Sequence, residues 1–416
     1  MWLIPIVGAF LLGLIAWKLW LHYIHQNFLS GIEWTLLEII PPRDVLRSPK
    51  GMELFFTNAL YQWTMKGGLE QYWQGAVWFF FSLEIVSIDG QVHFYIRTPS
   101  RLKNLIETQM YAQYPQAQIK VVEDYTLGVD KITPDSAWNL WGCEFKLEKP
   151  DPYPIRTYVN YGLEEDPKEE FKVDPISPVI ELFASIEKGE QMWLQIVVRP
   201  SKKEYRDKGS WFKHHNFVKE AELEMNKVIY PYTKIETRPD GTVLKTGRPP
   251  DYLASISEGI KDKMSKLGFD TGIRLCYAAK KEVFKKDTSR NLRLMFRQYT
   301  NPLSNGLTRY NSTGANAYSS WFLLPPEKVM MLADRMLNEY RNRDFFYPPL
   351  RYKIFSKQTV FWPLKIWVKP YFHSEFFVMN VEELATMWHF PGQILKVPSL
   401  ERIESKEAAP PTNLPI

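Results

Sequence analysis

Hydrophobic residues fill the N-terminus almost without interruption, and from Trp2 to Leu21 the only formal charge is Lys18. At about 1.5 Å of rise per residue such a run spans roughly 30 Å of hydrocarbon, which predicts one transmembrane helix. A secretory signal would need a basic stretch in front, a shorter apolar run and small residues at a cleavage site. Only Met1 precedes this run, and bulky residues from Trp17 to Tyr23 close it. A core helix of a soluble domain would carry a polar face, and this one has almost none. Lys18, Arg43, Arg47 and Lys50 all lie at or beyond its end, so the positive-inside rule predicts a single-pass protein of the cell (inner) membrane with its body in the cytoplasm.

Beyond the anchor the periodicity alternates between strand and helix, which predicts an α+β fold. Pro41, Pro42 and Pro49 mark a linker, followed by an aromatic segment (Phe55, Tyr61, Trp63, Tyr72, Trp73) expected to form a helix near the membrane or against the body. Val77 to Thr98 reads as two strands broken at Asp89-Gly90, a strong hairpin signal. Pro99 suits the first turn of a helix through Leu102, Leu105, Ile106, Gln109 and Met110, and Ile119 to Val122 reads as a return strand. This order is that of half a ferredoxin-like split βαβ sandwich. A related order recurs, with a helix from Pro178 and a strand from Gln191 to Val198, so a duplication is expected. Helices at Tyr252–Leu267, Lys281–Tyr299 and Pro326–Tyr340, with a strand at Phe269–Ala279, imply a second α+β domain. The expected organisation is therefore a transmembrane anchor (1–25), a membrane-proximal linker and helix (26–76) and a first ferredoxin-like domain (77–200). A charged connector (201–251), a second α+β domain (252–404) and a Pro-rich tail (405–416) complete it.

Composition narrows the class. The chain is 45% hydrophobic and 24% charged over 416 residues, enough apolar material for a sizeable core. A net charge of +5 permits contact with nucleic acid or anionic lipid without requiring either. The only cysteines, Cys143 and Cys276, sit in separate apolar segments and are expected to be buried, reduced thiols.

Catalytic signatures are not apparent. Gly241 to Gly247 is followed by Arg248-Pro249-Pro250, which cannot open a helix with the Lys and Ser/Thr of a phosphate-binding loop. The histidines at 22, 25, 214, 215 and 373 do not fall at metal-ligand spacing. Neither an enzyme activity nor a cofactor or metal is expected. The one charged constellation is Lys286, Arg290, Arg293 and Arg297, whose spacing would put a cationic stripe on one helix face. Such a stripe would follow a phosphate backbone, giving a membrane-tethered nucleic-acid-binding protein as the alternative function, with DNA as the partner. A solvated helix face is the plainer reading.

Two segments resemble a known group. SLEIVSIDGQVHFYIRTPSRLKNLIETQMYAQYPQA (82–117) with DPISPVIELFASIEKGEQMWLQIVVRP (174–200), and the later VEELATMWHFPG (381–392) with KEAAPPTNLP (406–415), look like the stretches that precede the motor domain in type IV secretion and conjugative DNA-transfer ATPases of the HerA/FtsK-like class. In such relatives this helix and turn lead into a phosphate-binding loop, whereas the sequence here stops at Leu414-Pro415-Ile416. The resemblance therefore implies a non-catalytic scaffold that recruits a separately encoded motor ATPase in trans, and a homo-oligomer because such motors form rings. Glu382, Glu383, Trp388 and His389 are the expected motor-docking residues, with packing on the chain's own body as the plainer alternative.

Overall fold

The computed structural model describes residues 3–42, 48–62, 67–164, 173–201, 204–206, 214–232, 234–237, 243–246, 249–292, 294–314, 326–348 and 374–392. The apolar N-terminus forms α1 (Leu3–Ser30), of which Val7–Ser30 is long and apolar enough to cross a membrane. Most of its large side chains, Phe10 and Leu12 among them, point outward with no protein over them.

Two runs of elements then follow the same order. The first is β1 (Trp34–Ile40), α2 (Lys50–Phe55) extended by a π-helical turn to Leu60, α3 (Gly68–Tyr72), β2 (Phe81–Ile88), β3 (Gln91–Pro99), α4 (Lys103–Gln113) and β4 (Gln118–Val122). The second is β5 (Trp138–Leu147), α5 (Ser177–Ala184), β6 (Glu190–Pro200), β11 (Gly268–Lys280), α8 (Lys286–Leu292) and β12 (Leu307–Ser312). Between β6 and β11 lie two small hairpins, β7 (Glu204–Arg206) with β8 (His214–Asn216) and β9 (Lys234–Thr237) with β10 (Val243–Thr246), and two helices, α6 (Phe217–Ile229) and α7 (Asp251–Ser265). The chain ends, among the described residues, in α9 (Pro326–Asn342), β13 (Phe377–Asn380) and α10 (Val381–Met387).

All the larger strands share one antiparallel sheet in the order β12-β5-β11-β6-β2-β3-β1-β4, with β13 added beside β5 on the same edge of β11. In each half the first strand lies between the third and the fourth, and the second strand forms the seam. The halves join where β2 pairs with β6, from Phe81↔Val198 to Ile88↔Gln191.

This arrangement corrects several expectations. β1 and β5 are central strands, although Trp34–Ile40 falls in the expected linker and Trp138–Leu147 carries no strand prediction. The 201–251 connector does not divide the sheet, because β6 and β11 on either side of it pair from Phe269↔Pro200 to Ala279↔Glu190. With α7 it occupies the position that a two-residue turn fills in the first half. That turn is the expected one: Asp89 (φ 53°) and Gly90 (φ 87°) both take positive φ, as a type I′ hairpin requires.

The faces of the sheet differ in chemistry. On one, Leu37, Phe81, Leu83, Ile85, Phe94, Ile96, Ile196 and Leu275 form a continuous apolar layer covered by α2, α4, α5 and α10. A strand alternates its side chains, so the other face carries Glu84, Gln195, Arg274 and Glu144 as well as Val86 and Trp193. α9 covers this mixed face with Leu332, Ala333, Met336, Leu337 and Tyr340. Two glycines let it and the residues after it approach. A Cβ on Gly142 would lie 2.7 Å from Met336, and one on Gly272 would lie 2.3 Å from the Phe345 ring. Cys143 and Cys276 are buried on opposite faces, in different apolar clusters, and form no disulfide.

Candidate functional site

Charge is buried on both faces of the sheet. On the mixed face Arg343, just past α9 and itself at positive φ (53°), reaches the seam. Its guanidinium donates to both Glu84 oxygens at 2.9 and 3.1 Å and to Asp124. Glu84 also accepts from Ser82 (2.6 Å), Tyr125 (2.8 Å) and Gln195 (3.3 Å), so both of its oxygens are saturated by the chain itself. Burial opposes ionisation of Glu84, but Arg343 and these donors outweigh it and hold the carboxyl below the usual range. Burial works against the charge on Arg343 too, and Glu84 more than restores it.

A second cluster lies next to it. Arg274 donates to Glu144 (2.8 Å), to Glu339 (3.3 Å) and to the backbone carbonyls of Glu339 and Asp344, while Arg335 donates to Glu339 at 2.8 Å. Ser374 and Asn311 supply further donors to Glu144. Burial pushes the Glu339 carboxyl up to about 7 against the pull of Arg274 and Arg335. Arginine suits such places because its planar fork satisfies several acceptors at once.

On the apolar face α10 is the anchor point. Asn380 caps it by accepting from Glu383 N, and the Glu383 carboxylate returns to Asn380 N at 2.9 Å, a capping box. The same carboxylate accepts from Ile155 N at 2.9 Å and pairs with Lys263 of α7 at 2.9 Å, with both side chains fully buried. Glu382 pairs with Lys266 at 2.6 Å, and Thr386 accepts from Tyr158 N. Trp388 is fully buried against Phe56, Phe94 and Phe390, and its indole N–H donates to Glu84 O at 3.4 Å. His389 Nδ1 lies 2.8 Å from Ala385 O and Nε2 lies 3.0 Å from Asp174. Burial opposes the charge on Asp174, but His389 and the N–H groups of Ile176 and Gly392 hold its carboxyl below the usual range.

Glu382, Glu383, Trp388 and His389, the residues expected to dock a motor, all fall within this internal network. Glu383, Trp388 and His389 are enclosed by their own chain, and Glu382 is spent on Lys266, so these side chains lock α10 into the core and present no edge. The helix expected to carry the cationic stripe is shorter than Lys281–Tyr299. α8 stops at Leu292, because Leu292, Met295, Phe296 and Tyr299 turn into the core, and a separate 3-10 turn carries Arg297. Lys286 and Arg297 are exposed but on different elements, the Arg290 backbone lies in α8, and Arg293 lies outside the described residues. Neighbouring Lys285 pairs with Glu187 at 3.0 Å. The Pro-rich tail and His373 also lie outside the described residues.

Periodicity does not single out the buried charges, yet a signal exists. Glu84, Glu144 and Arg274 each stand between two apolar residues of their strand, a placement that requires a partner once the strand is covered on both faces. Among the described residues no group of three or more His, Cys, Asp or Glu could hold a metal ion.

The family described as a domain of unknown function, DUF8128, matches residues 80–315, more than half of the sequence and the span from β2 to β12. The chain belongs to the DUF8128 family. No curated protein matches it, and no solved structure does. The matched span holds seven of the eight strands on the main path of the sheet, from which only β1 is missing.

Proposed function

We propose that this DUF8128 protein is a membrane-anchored, non-catalytic scaffold of a type IV secretion or conjugation-like translocation system, and that it assembles with a motor ATPase. In this reading α1 crosses the inner membrane once and the sheet body lies in the cytoplasm. The observation that carries it is a contrast. α1 turns bare apolar side chains outward, whereas the charged side chains at the seam and at α10 are consumed by internal pairing. A body of this kind offers shape and rigidity more readily than acid–base chemistry, since Glu84 has no acceptor position left for a substrate.

The resemblance of 381–392 to the segment ahead of secretion motors supports the choice of partner. Its helix is fixed to both halves of the sheet through Trp388, Glu383 and Thr386, so a load applied beyond it would be passed to the whole body. We read each half as a ferredoxin-like split βαβ unit, the two related by duplication and fused through β2 and β6. The repeated order of strands and helices supports this. Homo-oligomerisation into a ring belongs to the same proposal. The test is purification of the tagged chain from membranes in mild detergent, with mass spectrometry of its partners. A motor ATPase is expected among them, and an intact membrane extract yielding none contradicts the assignment.

A further inference from the structure

Beside α1 the structure places an apolar surface that the anchor alone does not account for. α3 is short, but Leu69, Tyr72 and Trp73 recur at helical spacing on one side, with Leu69 73%, Tyr72 45% and Trp73 69% exposed. Two of the three rings and side chains lie directly against the anchor. Trp20 stands 5.7 Å from Trp73, Trp17 stands 6.0 Å from Tyr72, and the Trp20 indole N–H donates to Tyr72 O at 3.2 Å. The attachment is rigid. Gly75 takes φ +71° where a Cβ would lie 2.3 Å from Ile24 O, so the backbone after α3 abuts that of α1.

We propose that Leu69, Tyr72 and Trp73 form a second membrane contact, an aromatic shelf that lies at the headgroup–acyl boundary and fixes the tilt and rotation of the body on the bilayer. The proposal rests on α1 spanning the membrane. About 20 residues cross the hydrocarbon, so a span beginning near Leu3 leaves it near His22. Trp17 and Trp20 then sit roughly 3–8 Å inside that boundary at 1.5 Å per residue, which is the depth at which interfacial aromatic faces settle. α3 is held at the same level by its contacts with those two rings. Tryptophan and tyrosine favour this layer because they combine an apolar ring with a polar N–H or O–H. Tyr347 meets the same end of α1, its backbone carbonyl accepting from Gln26 at 2.8 Å.

The test uses the full chain in vesicles of phosphatidylethanolamine and phosphatidylglycerol. Single-cysteine variants Phe10→Cys, Trp73→Cys and Leu127→Cys carry an environment-sensitive fluorophore; the native thiols are buried and stay unlabelled. Quenching is read with aqueous iodide and with lipids bearing a nitroxide either high or deep in the acyl chain. Position 73 is expected to be blue-shifted, quenched best by the shallow nitroxide and several-fold less by iodide than exposed position 127. If position 10 is quenched by the deep nitroxide while position 73 responds to iodide like position 127, the shelf is refuted and the anchor stands. If position 10 itself is open to iodide, the anchor reading fails and the shelf fails with it.

Discussion

Replacing Arg343 with Met isolates the seam on the mixed face. The substitution keeps most of the side-chain volume and removes the guanidinium, leaving the fully buried Glu84 carboxylate without its counter-charge. Breaking one partner out of a buried pair costs about 3–5 kcal/mol. Ser82, Tyr125 and Gln195 still donate to Glu84, so the low end of that range, about 3 kcal/mol, is expected. That is a large part of the roughly 5–15 kcal/mol that holds a domain together. Urea unfolding followed by tryptophan fluorescence in detergent reads it directly. The companion Glu84→Gln/Arg343→Met variant removes both charges and is expected to recover at least half of the loss. The pH dependence carries the sign. Glu84 is held below its ordinary value in the native protein, so its contribution is complete above about 4.5 and is lost as pH falls through the lower native value. In Arg343→Met the buried carboxyl is raised instead, so the deficit relative to the native protein shrinks between neutral pH and about pH 5. A deficit under about 1 kcal/mol, or a double variant less stable than the single one, would refute the account of the seam.

Other expectations follow from the same contacts. Trp388→Ala removes a ring enclosed by Phe56, Phe94 and Phe390 and should cost about 3–5 kcal/mol in the same urea experiment, whereas a merely exposed docking residue would cost little. Gly272→Val puts a branched side chain where Phe345 lies. About 1–3 kcal/mol of destabilisation is expected, with faster proteolysis after α9 than in the native protein. Glu339 is pushed up to about 7, so the native state holds its proton more tightly than the unfolded chain does, and stability should decline as pH rises from about 4.5 to about 7. Glu339→Gln should flatten that slope in urea melts across the interval, and an unchanged slope would assign it to other groups.

Local patterns carried a good part of the fold. Asp89-Gly90, the Pro99-led helix, α7, α9 and β11 are all visible in the sequence, because turn chemistry and periodicity act over a few residues. β1 escapes notice because WTLLEII sits between an apolar anchor and Pro41-Pro42, which together look like a linker. β5 shows the same limit, since its place inside the sheet depends on pairing with β11 and β12, more than a hundred residues away in sequence. The pairing of β6 with β11 across α6 and α7 is long-range information that no window contains. At the candidate site, the capped helix after Asn380 is legible, but its burial is set by Lys263, Tyr158 and Phe94 from three other elements. The apparent cationic stripe misleads for the opposite reason. Its basic residues have helical spacing, but Leu292, Met295, Phe296 and Tyr299 interleave with them, and core packing decides the backbone path.

The scaffold reading is tested most directly by ATP hydrolysis, measured on the purified chain alone and on the complex it forms in membranes. No turnover by the chain alone and robust turnover by the complex, lost when the chain is stripped away or when α1 is deleted, is the predicted result. Hydrolysis by the chain alone, or a partner whose turnover is indifferent to its presence, contradicts it.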